Sequence, residues 1–481
     1  MKYLYDSLME YQKTDAYPFH MPGHKRRGGE FVNPFLIDIT EIDQFDNLHY
    51  AEGILKETQE RAGKLYGSEE THFLVNGSTC GILSAISACT NRGGKILMAR
   101  NCHKATYHGA LLGNLDIVYL YPCPEKHFGI NGGIDPDQVR KRLEEDKEIQ
   151  AVFITSPTFD GVVSNVREIA RIAHNMGVPL IVDEAHGAHF GFHPYFPDGS
   201  IEQGADLVIH SLHKTLPSFT QTALLHVNGD LVDRKKLNFY LGVYQTSSPS
   251  YVLMAGMDEC MRRMEREGER LFSEFSQRLD HFYREAQSFK RVKVAGKWLK
   301  GQAHIYDFDL SKLILSALQV GMDGNMLQQR LRRDYHLELE MAAGGYALAL
   351  TSVMDTEEGF TRLWQALLEI DGELGSRGTQ ESYADLKMDE GLVWDDTVTH
   401  NTCVCRISQA LEADKESIPL SESSGRISGE FLYLYPPGIP LIVPGERIEA
   451  QLVERIEKYK VRGFAVQGLE DYTASCILAL R

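Results

Sequence analysis

The chain has 481 residues, 43% hydrophobic and 24% charged, the composition of an ordinary globular protein long enough for two or three domains. Lys+Arg 50 against Asp+Glu 67 leaves a net charge of −17, which repels nucleic-acid backbones and anionic membranes and favours the approach of a small cation. The opening residues lack the apolar core and small-residue cleavage site of a secretion signal, no later apolar run approaches the ~20 residues of a membrane span, and a cytoplasmic protein is expected. Eight cysteines include no CxxC pair, so neither a disulfide framework nor a zinc knuckle has a spacing to support it.

From about residue 70 to 230, short apolar β-type runs alternate with amphipathic stretches. HFLVNG, KILMAR, DIVYLYP, AVFITSPT, PLIVDEAH, ADLVIHS and ALLHVNG read as strands, and DPDQVRKRLEED and NVREIARIAHNMG as helices between them. This alternation predicts a mostly parallel sheet covered on both faces. A long helical segment beginning MAGMDECMRRMEREGE leads to a second α/β section over 291–370, with HIYDFDL, NMLQQRLRRDYH and ALALTSV. We divide the chain into an N-terminal segment plus large domain (1–290), a small α/β domain (291–370), a polar linker (371–384) and a C-terminal α+β unit (385–481).

In parallel sheets ligands collect at the carboxyl ends of the strands. PLIVDEAHGAHFGFHP places Asp183, Glu184, His186, His189 and His193 directly behind an apolar run. A nucleotide-hydrolysing reading needs a GxxxxGK[ST] loop, which is absent: Lys64, Lys95 and Lys297 each follow a Gly, and none precedes Ser or Thr. A metal reading is weakened by Pro194 and the interspersed glycines, which argue for a loop instead of the helix that gives HExxH one face. No metal is therefore expected, although the histidines keep that alternative open.

The third reading turns on Lys214, 31 residues after Asp183 in ADLVIHSLHKTLPSFTQT. A lysine beside a strand-end carboxylate is the pair that pyridoxal 5′-phosphate needs. Its aldehyde condenses with the amine, and the carboxylate pairs with the protonated ring nitrogen. Ser78 and Thr79, in a strand–turn–helix start, can meet a phosphate at a helix N-terminus. His103 follows a strand, where an imidazole could stack on a pyridine face, and Ser211 and His213 flank Leu212 just before the lysine. Each has an ordinary alternative: Ser78 as a plain helix cap, His103 as a loop residue.

Together with these, the segments PFHMPGHK, VNGSTCG, RNCHK, VDEAHGAHFGFHP, SLHKTLPSFTQT, QTSSPSY and GRISGEFLYLYPPGIPLIVPGE resemble the ornithine/lysine/arginine decarboxylases nearly end to end. The resemblance implies pyridoxal-phosphate fold type I, an aspartate-aminotransferase-like three-layer sandwich with small α/β and C-terminal α+β domains. It makes Lys214 the Schiff-base lysine, Asp183 the pyridinium partner and His103 the stacking histidine. Ser78, Thr79, Ser211 and His213 match phosphate-side positions, Ala185 lies under the ring, and His186 stands where larger relatives have Trp. Thr246 to Tyr251 matches a segment reaching toward a neighbouring subunit's phosphate, and His20, His24 and Lys25 match the active-site mouth.

The implied reaction is decarboxylation of a basic amino acid, arginine or lysine before ornithine, with Lys214 or a nearby His returning a proton to Cα. Glu430 and Glu446 are candidates for holding the distal cation, alongside His24. Larger family members begin with a receiver-like wing domain that this sequence does not show. A homodimer with shared active sites is expected, with no nucleic-acid or membrane partner. An aminotransferase using the same Lys and Asp is the rival reading.

Overall fold

The computed structural model describes residues 3–27, 31–376, 400–434, 438–461, 463–464 and 466–481. The seven apolar runs become strands β1 (Glu70–Leu74), β2 (Lys95–Ala99), β3 (Asp116–Leu120), β4 (Ile149–Thr155), β5 (Leu180–Asp183), β6 (Leu207–Ser211) and β7 (Ala223–Val227). They join in one sheet of order β1-β7-β6-β5-β4-β2-β3. β7 runs antiparallel to both its neighbours, and every other pair is parallel. Successive side chains alternate between two cores, one on each face. Leu74 and Leu225 enter the core that holds the helix α1 (Gly77–Cys89) and the inner face of α2 (Lys104–Gly113). Phe73 and Leu224 enter the other, against the 35-residue helix α3 (Tyr251–Glu285). That helix is capped by Ser250, and Met254, Met257, Met261, Met264, Phe272, Phe275 and Phe282 line its buried side, the three-and-four spacing of an amphipathic helix.

The small unit is an antiparallel sheet, β8 (Lys293–Val294), β9 (Lys312–Ser316), β10 (Met341–Ala342) and β11 (Ala347–Leu350), in the order β8-β9-β11-β10. It packs with α4 (Gly324–Tyr335) and α5 (Glu357–Ser376). Three details differ from the sequence division. The expected HIYDFDL strand contributes only Asp307–Phe308, paired with Val162–Val163 of the large unit. Tyr17–Phe19 of the N-terminal segment pairs with Leu337–Leu339 of the small unit, and the Tyr17 hydroxyl bonds Asp355 at 3.0 Å. Helix α5 runs through the start of the polar stretch expected as a linker, because the Asp371 carboxylate accepts backbone N–H groups of Lys290, Arg291 and Val292 at 2.6–3.0 Å. The rest of that stretch and residues 385–399 lie outside the described residues, as do Tyr435–Pro437 of YPPGIP.

The C-terminal unit pairs Lys415–Pro419 with Cys476–Leu480 and sets Leu432–Leu434 between Pro440–Ile442 and Val466–Gln467. Its own core includes Leu432, Ile442, Leu452, Ile456 and Ile477. Arg100, fully buried just beyond β2, joins it to the large unit. The guanidinium donates to Glu446 Oε2 at 3.0 Å, to the carbonyls of Pro440 and Leu441 at 2.7 and 3.3 Å, and to the Tyr107 hydroxyl at 3.0 Å. At the edge strand, Arg406 makes two 2.6 Å bonds to Asp116. All eight cysteines are free, and no helix among the described residues is long and apolar enough to cross a membrane.

Removing one partner of a buried ion pair leaves the other charge uncompensated, at a cost of about 3–5 kcal/mol. Glu446→Ala should therefore lower the stability read from urea denaturation by about 3 kcal/mol or more. A change within about 0.5 kcal/mol would mean that Arg100 finds other compensation.

Candidate active site

A cavity of about 320 Å³ opens at the carboxyl edge of the sheet, within the size range of small-molecule sites. Asp183 ends β5, and Ser211 ends β6, whose continuation makes a single helical turn, Leu212–Thr215, that carries Lys214 into the cavity. The first turn of α1 brings Gly77, Ser78 and Thr79 to the same place, and the residues after β2 bring Asn101 and His103.

The side chains meet in a defined set of contacts. Lys214 Nζ lies 2.8 Å from His186 Nε2. Asp183 Oδ1 accepts the Ala185 N–H at 3.1 Å. Ser78 and Ser211 share a hydroxyl hydrogen bond of 2.5 Å, so Ser78 sits inside the first turn facing β6; the helix cap position belongs to Asn76. His213 Nδ1 donates to the Thr222 carbonyl at 3.0 Å. His103 caps α2, its Nδ1 accepting the Ala105 N–H at 3.2 Å.

Burial drives these groups toward their neutral forms. It raises the Asp183 carboxyl, with Lys214 and the Ala185 N–H pulling the other way. It lowers the Lys214 amine against the attraction of Asp183, which favours a nucleophilic, unprotonated lysine. His103 is pushed down to about 3 by burial and by the Lys214 charge, and His186 is held well below the usual histidine range by the same two causes. His213 falls to about 4 on burial.

The residues present fit pyridoxal phosphate. An amine and a carboxylate face one cavity, a helix N-terminus and hydroxyls border it, and one buried lining atom, Asn101 Oδ1, has no hydrogen-bond partner among the described residues. The metal alternative is corrected by geometry. His186 turns to Lys214, His189 to Asp309 and His193 to the Tyr195 N–H, so the three histidines share no centre. Among the described residues no group of three or more His, Cys, Asp or Glu is arranged to hold an ion.

Lys214, Asp183, His103, His186, Ser78, Thr79, Ala185, Ser211 and His213 all line the cavity; three other candidates do not. The two oxygens of Glu430 accept the N–H groups of Glu470 and Leu478 at 2.6 and 2.7 Å. Glu446 is bound by Arg100, Asn401 and the Val443 N–H. His24 faces a different cleft, with Phe31, Phe219 and Glu259. The cause is the neighbouring Gly23, whose N–H bonds the His213 carbonyl at 2.6 Å and where a Cβ would stand 2.8 Å from the Leu216 carbonyl oxygen. Lys25 then turns inward onto the carbonyls of His20 and Leu350, leaving His24 outside. Thr246 to Tyr251 forms the turn before α3: Ser250 caps the helix and the Tyr251 hydroxyl bonds the Asp46 carbonyl at 2.6 Å.

The cavity also contains residues that sequence reasoning passed over, chiefly Glu340, Met21, Thr155, Thr158 and Phe159. Thr155 ends an apolar strand run and could have been found on that ground. Glu340 sits in LELEM, where alternation alone reads as a half-exposed strand. Its Oε2 accepts the Met21 N–H at 2.8 Å.

Comparison with known proteins places this arrangement. The Orn/Lys/Arg decarboxylase major-domain model matches residues 3–309, and the C-terminal-domain model of the same family matches 402–461. An arginine decarboxylase from Bacillus subtilis is 30% identical over 99% of this chain and 97% of its own. The solved lysine decarboxylase of Francisella novicida superimposes with a TM-score of 0.77 at 19% identity, covering 99% of this chain and 80% of that one. An alanine–glyoxylate aminotransferase from Nostoc shares the fold more distantly, with a TM-score of 0.53 at 15% identity over 66% of this chain and 86% of that one. The architecture is that of the fold type I enzymes, and the chain belongs to the Orn/Lys/Arg decarboxylase family of amino-acid decarboxylases.

Proposed function

We propose that this chain converts a basic amino acid, arginine in the first place, to the corresponding amine and CO₂, using pyridoxal 5′-phosphate. The observation that carries this reading is the Lys214 amine and the Asp183 carboxylate facing one cavity at adjacent strand ends. The whole-length relatives described as arginine decarboxylases favour arginine among the basic amino acids.

Lys214, Asp183 and His103 would hold the cofactor's aldehyde, ring nitrogen and ring face, with Ala185 beneath it and Ser78, Thr79, Ser211 and His213 around its phosphate. Bound there, pyridoxal phosphate supplies an electron-accepting ring for the pair released as the carboxylate departs. Asp183 keeps a proton on the ring nitrogen. Lys214 Nζ would hold or return the proton that the reaction needs, and His186 Nε2, 2.8 Å away, would exchange it. Low solvent access strengthens each of these electrostatic effects.

Besides Asp183, Glu340 is the carboxylate lining the cavity, and it suits the distal cation of the substrate. Shared-site homodimerisation is part of the same reading. Large apolar side chains exposed on the monomer, among them the adjacent Phe35 and Leu36, are compatible with it.

The test is to purify the protein with pyridoxal phosphate, record its absorbance, and measure CO₂ and amine from arginine, lysine and ornithine separately, without a keto acid. A yellow protein that releases neither from any of the three would refute the decarboxylase reading, and dependence on a keto acid would point to transamination. Lys214→Ala should reduce CO₂ release to background; near-normal turnover in that variant would remove the lysine from the mechanism. Glu340→Gln should raise KM for arginine about 30-fold, the equivalent of about 2 kcal/mol for a lost charge-assisted hydrogen bond, with kcat much less affected.

Burial gives a pH dependence for the cofactor-free chain. His103 and His213, at about 3 and about 4 when folded, return to about 6.5 on unfolding. The unfolded state therefore binds more protons between those values and pH 6.5. Stability is full above that window and falls as pH drops through it, by up to about 1.4 kcal/mol per pH unit for each histidine. Urea midpoints measured from pH 7 to 4.5 should fall accordingly, and His213→Gln should flatten the slope by about one histidine's share.

A further inference from the structure

Lys312 begins β9 with its side chain entirely buried, beside an equally buried Asp309. An ammonium has three donors, and three acceptors surround this one: Asp309 Oδ2 at 2.8 Å, Ser311 Oγ at 3.1 Å and the main-chain carbonyl of His186 at 3.2 Å. Asp309 is equally occupied. Its Oδ1 lies 3.2 Å from His189 Nε2 and accepts the Ser311 N–H at 2.9 Å, while Oδ2 accepts the Ser311 hydroxyl at 2.9 Å. Gly161 leaves room for the lysine stem: its φ is +94°, and a Cβ there would approach Lys312 Cγ to 2.9 Å.

One buried ion pair thus grips the loop after β5 twice, at the His186 carbonyl and at the His189 ring. Between these grips, the His186 imidazole reaches Lys214. A histidine is commonly oriented by the hydrogen bond its second nitrogen makes. His186 Nδ1 has no such partner among the described residues, and the ring is otherwise bounded by the edge of Phe159, 4.8 Å between centroids. Its aim therefore depends on the backbone that Lys312 holds.

We propose that Lys312, with Asp309 and His189, is the positioning device for His186, fixing the loop so that Nε2 stays on Lys214 during proton exchange. The proposal rests on the decarboxylase reading and names residues that act on the reaction only through His186.

The experiment is a double-mutant cycle between Lys312→Met and His186→Gln. Two quantities are read: kcat and KM for arginine, and the rate at which cofactor-free protein condenses with pyridoxal phosphate, followed by absorbance. Lys312→Met leaves a buried carboxylate unpaired, so Lys312→Met/Asp309→Asn is made alongside; its amide keeps a partner for His189 without a buried net charge. The expected result is a fall in kcat of about tenfold or more with KM within about twofold, and condensation at pH 7 slower by about threefold or more. In the His186→Gln background the same replacement should change either rate by less than about twofold.

Equal losses in both backgrounds would overturn the proposal, because a packing defect acts independently of His186; so would a variant with unchanged kcat and condensation rate. Wild-type protein that releases no CO₂ from any basic amino acid would instead overturn the decarboxylase reading, and the condensation rates would still decide whether Lys312 acts on Lys214 through His186.

Discussion

The parallel register of β4, β5 and β6 is the constraint on which the candidate site depends. Thr155 stands opposite Asp183 on one side, and Ile209 stands opposite it on the other, so β4 and β5 stop in one row and β6 runs on to Ser211 beside them. Whatever polar residue follows each apolar run is then delivered to the same edge. Because side chains alternate faces, a one-residue slip would exchange Asp183 for a neighbour pointing away. The buried, apolar strand interiors make such a slip costly, and so the positions of Asp183 and Lys214 are set by the core before any ligand contributes.

Buried charge is the second organising feature, and it joins segments distant in the chain. Arg100 and Glu446 bind the C-terminal unit to the end of β2. Lys25 reaches the Leu350 carbonyl of the small unit with its ammonium 3.9 Å from Asp355, while Gly23 beside it bonds the His213 carbonyl next to Lys214. Lys312 connects the first turn of the small sheet to the loop carrying His186. Such pairs add little net stability over apolar packing, but they penalise any arrangement in which a partner is missing. Of these contacts, that of Lys312 falls on the backbone of a cavity-lining residue, His186.

Within the cavity, the same desolvation that would be a liability elsewhere becomes a chemical resource. A raised Asp183, a lowered Lys214 and several neutral imidazoles describe a site that resists charge until a charged ligand enters. Strongly perturbed groups converging on a cleft are a recognised sign of function. Here their chemistry agrees with the family to which the chain belongs.

What the sequence determined by itself was local. Apolar runs of strand length, the helix patterns between them and the polar residues at their ends follow from short-range periodicity, so the sheet, the long helix and the nearness of Lys214 and Asp183 to one cavity were legible. Even the misplaced fragments are informative: HIYDFDL looked like a strand of the small unit, and only its pairing with Val162–Val163 assigns it to the large one. The tertiary structure alone decided which carboxylates are free and which are spent. Glu430 and Glu446 look available in a string of letters, yet backbone amides and Arg100 occupy them, while Glu340, unremarked in an alternating strand, lines the cavity. The same holds for Lys312, which reads as an ordinary charge at a strand start and is fully buried beneath His186. A side chain's partners can lie hundreds of residues away, and no local pattern encodes them.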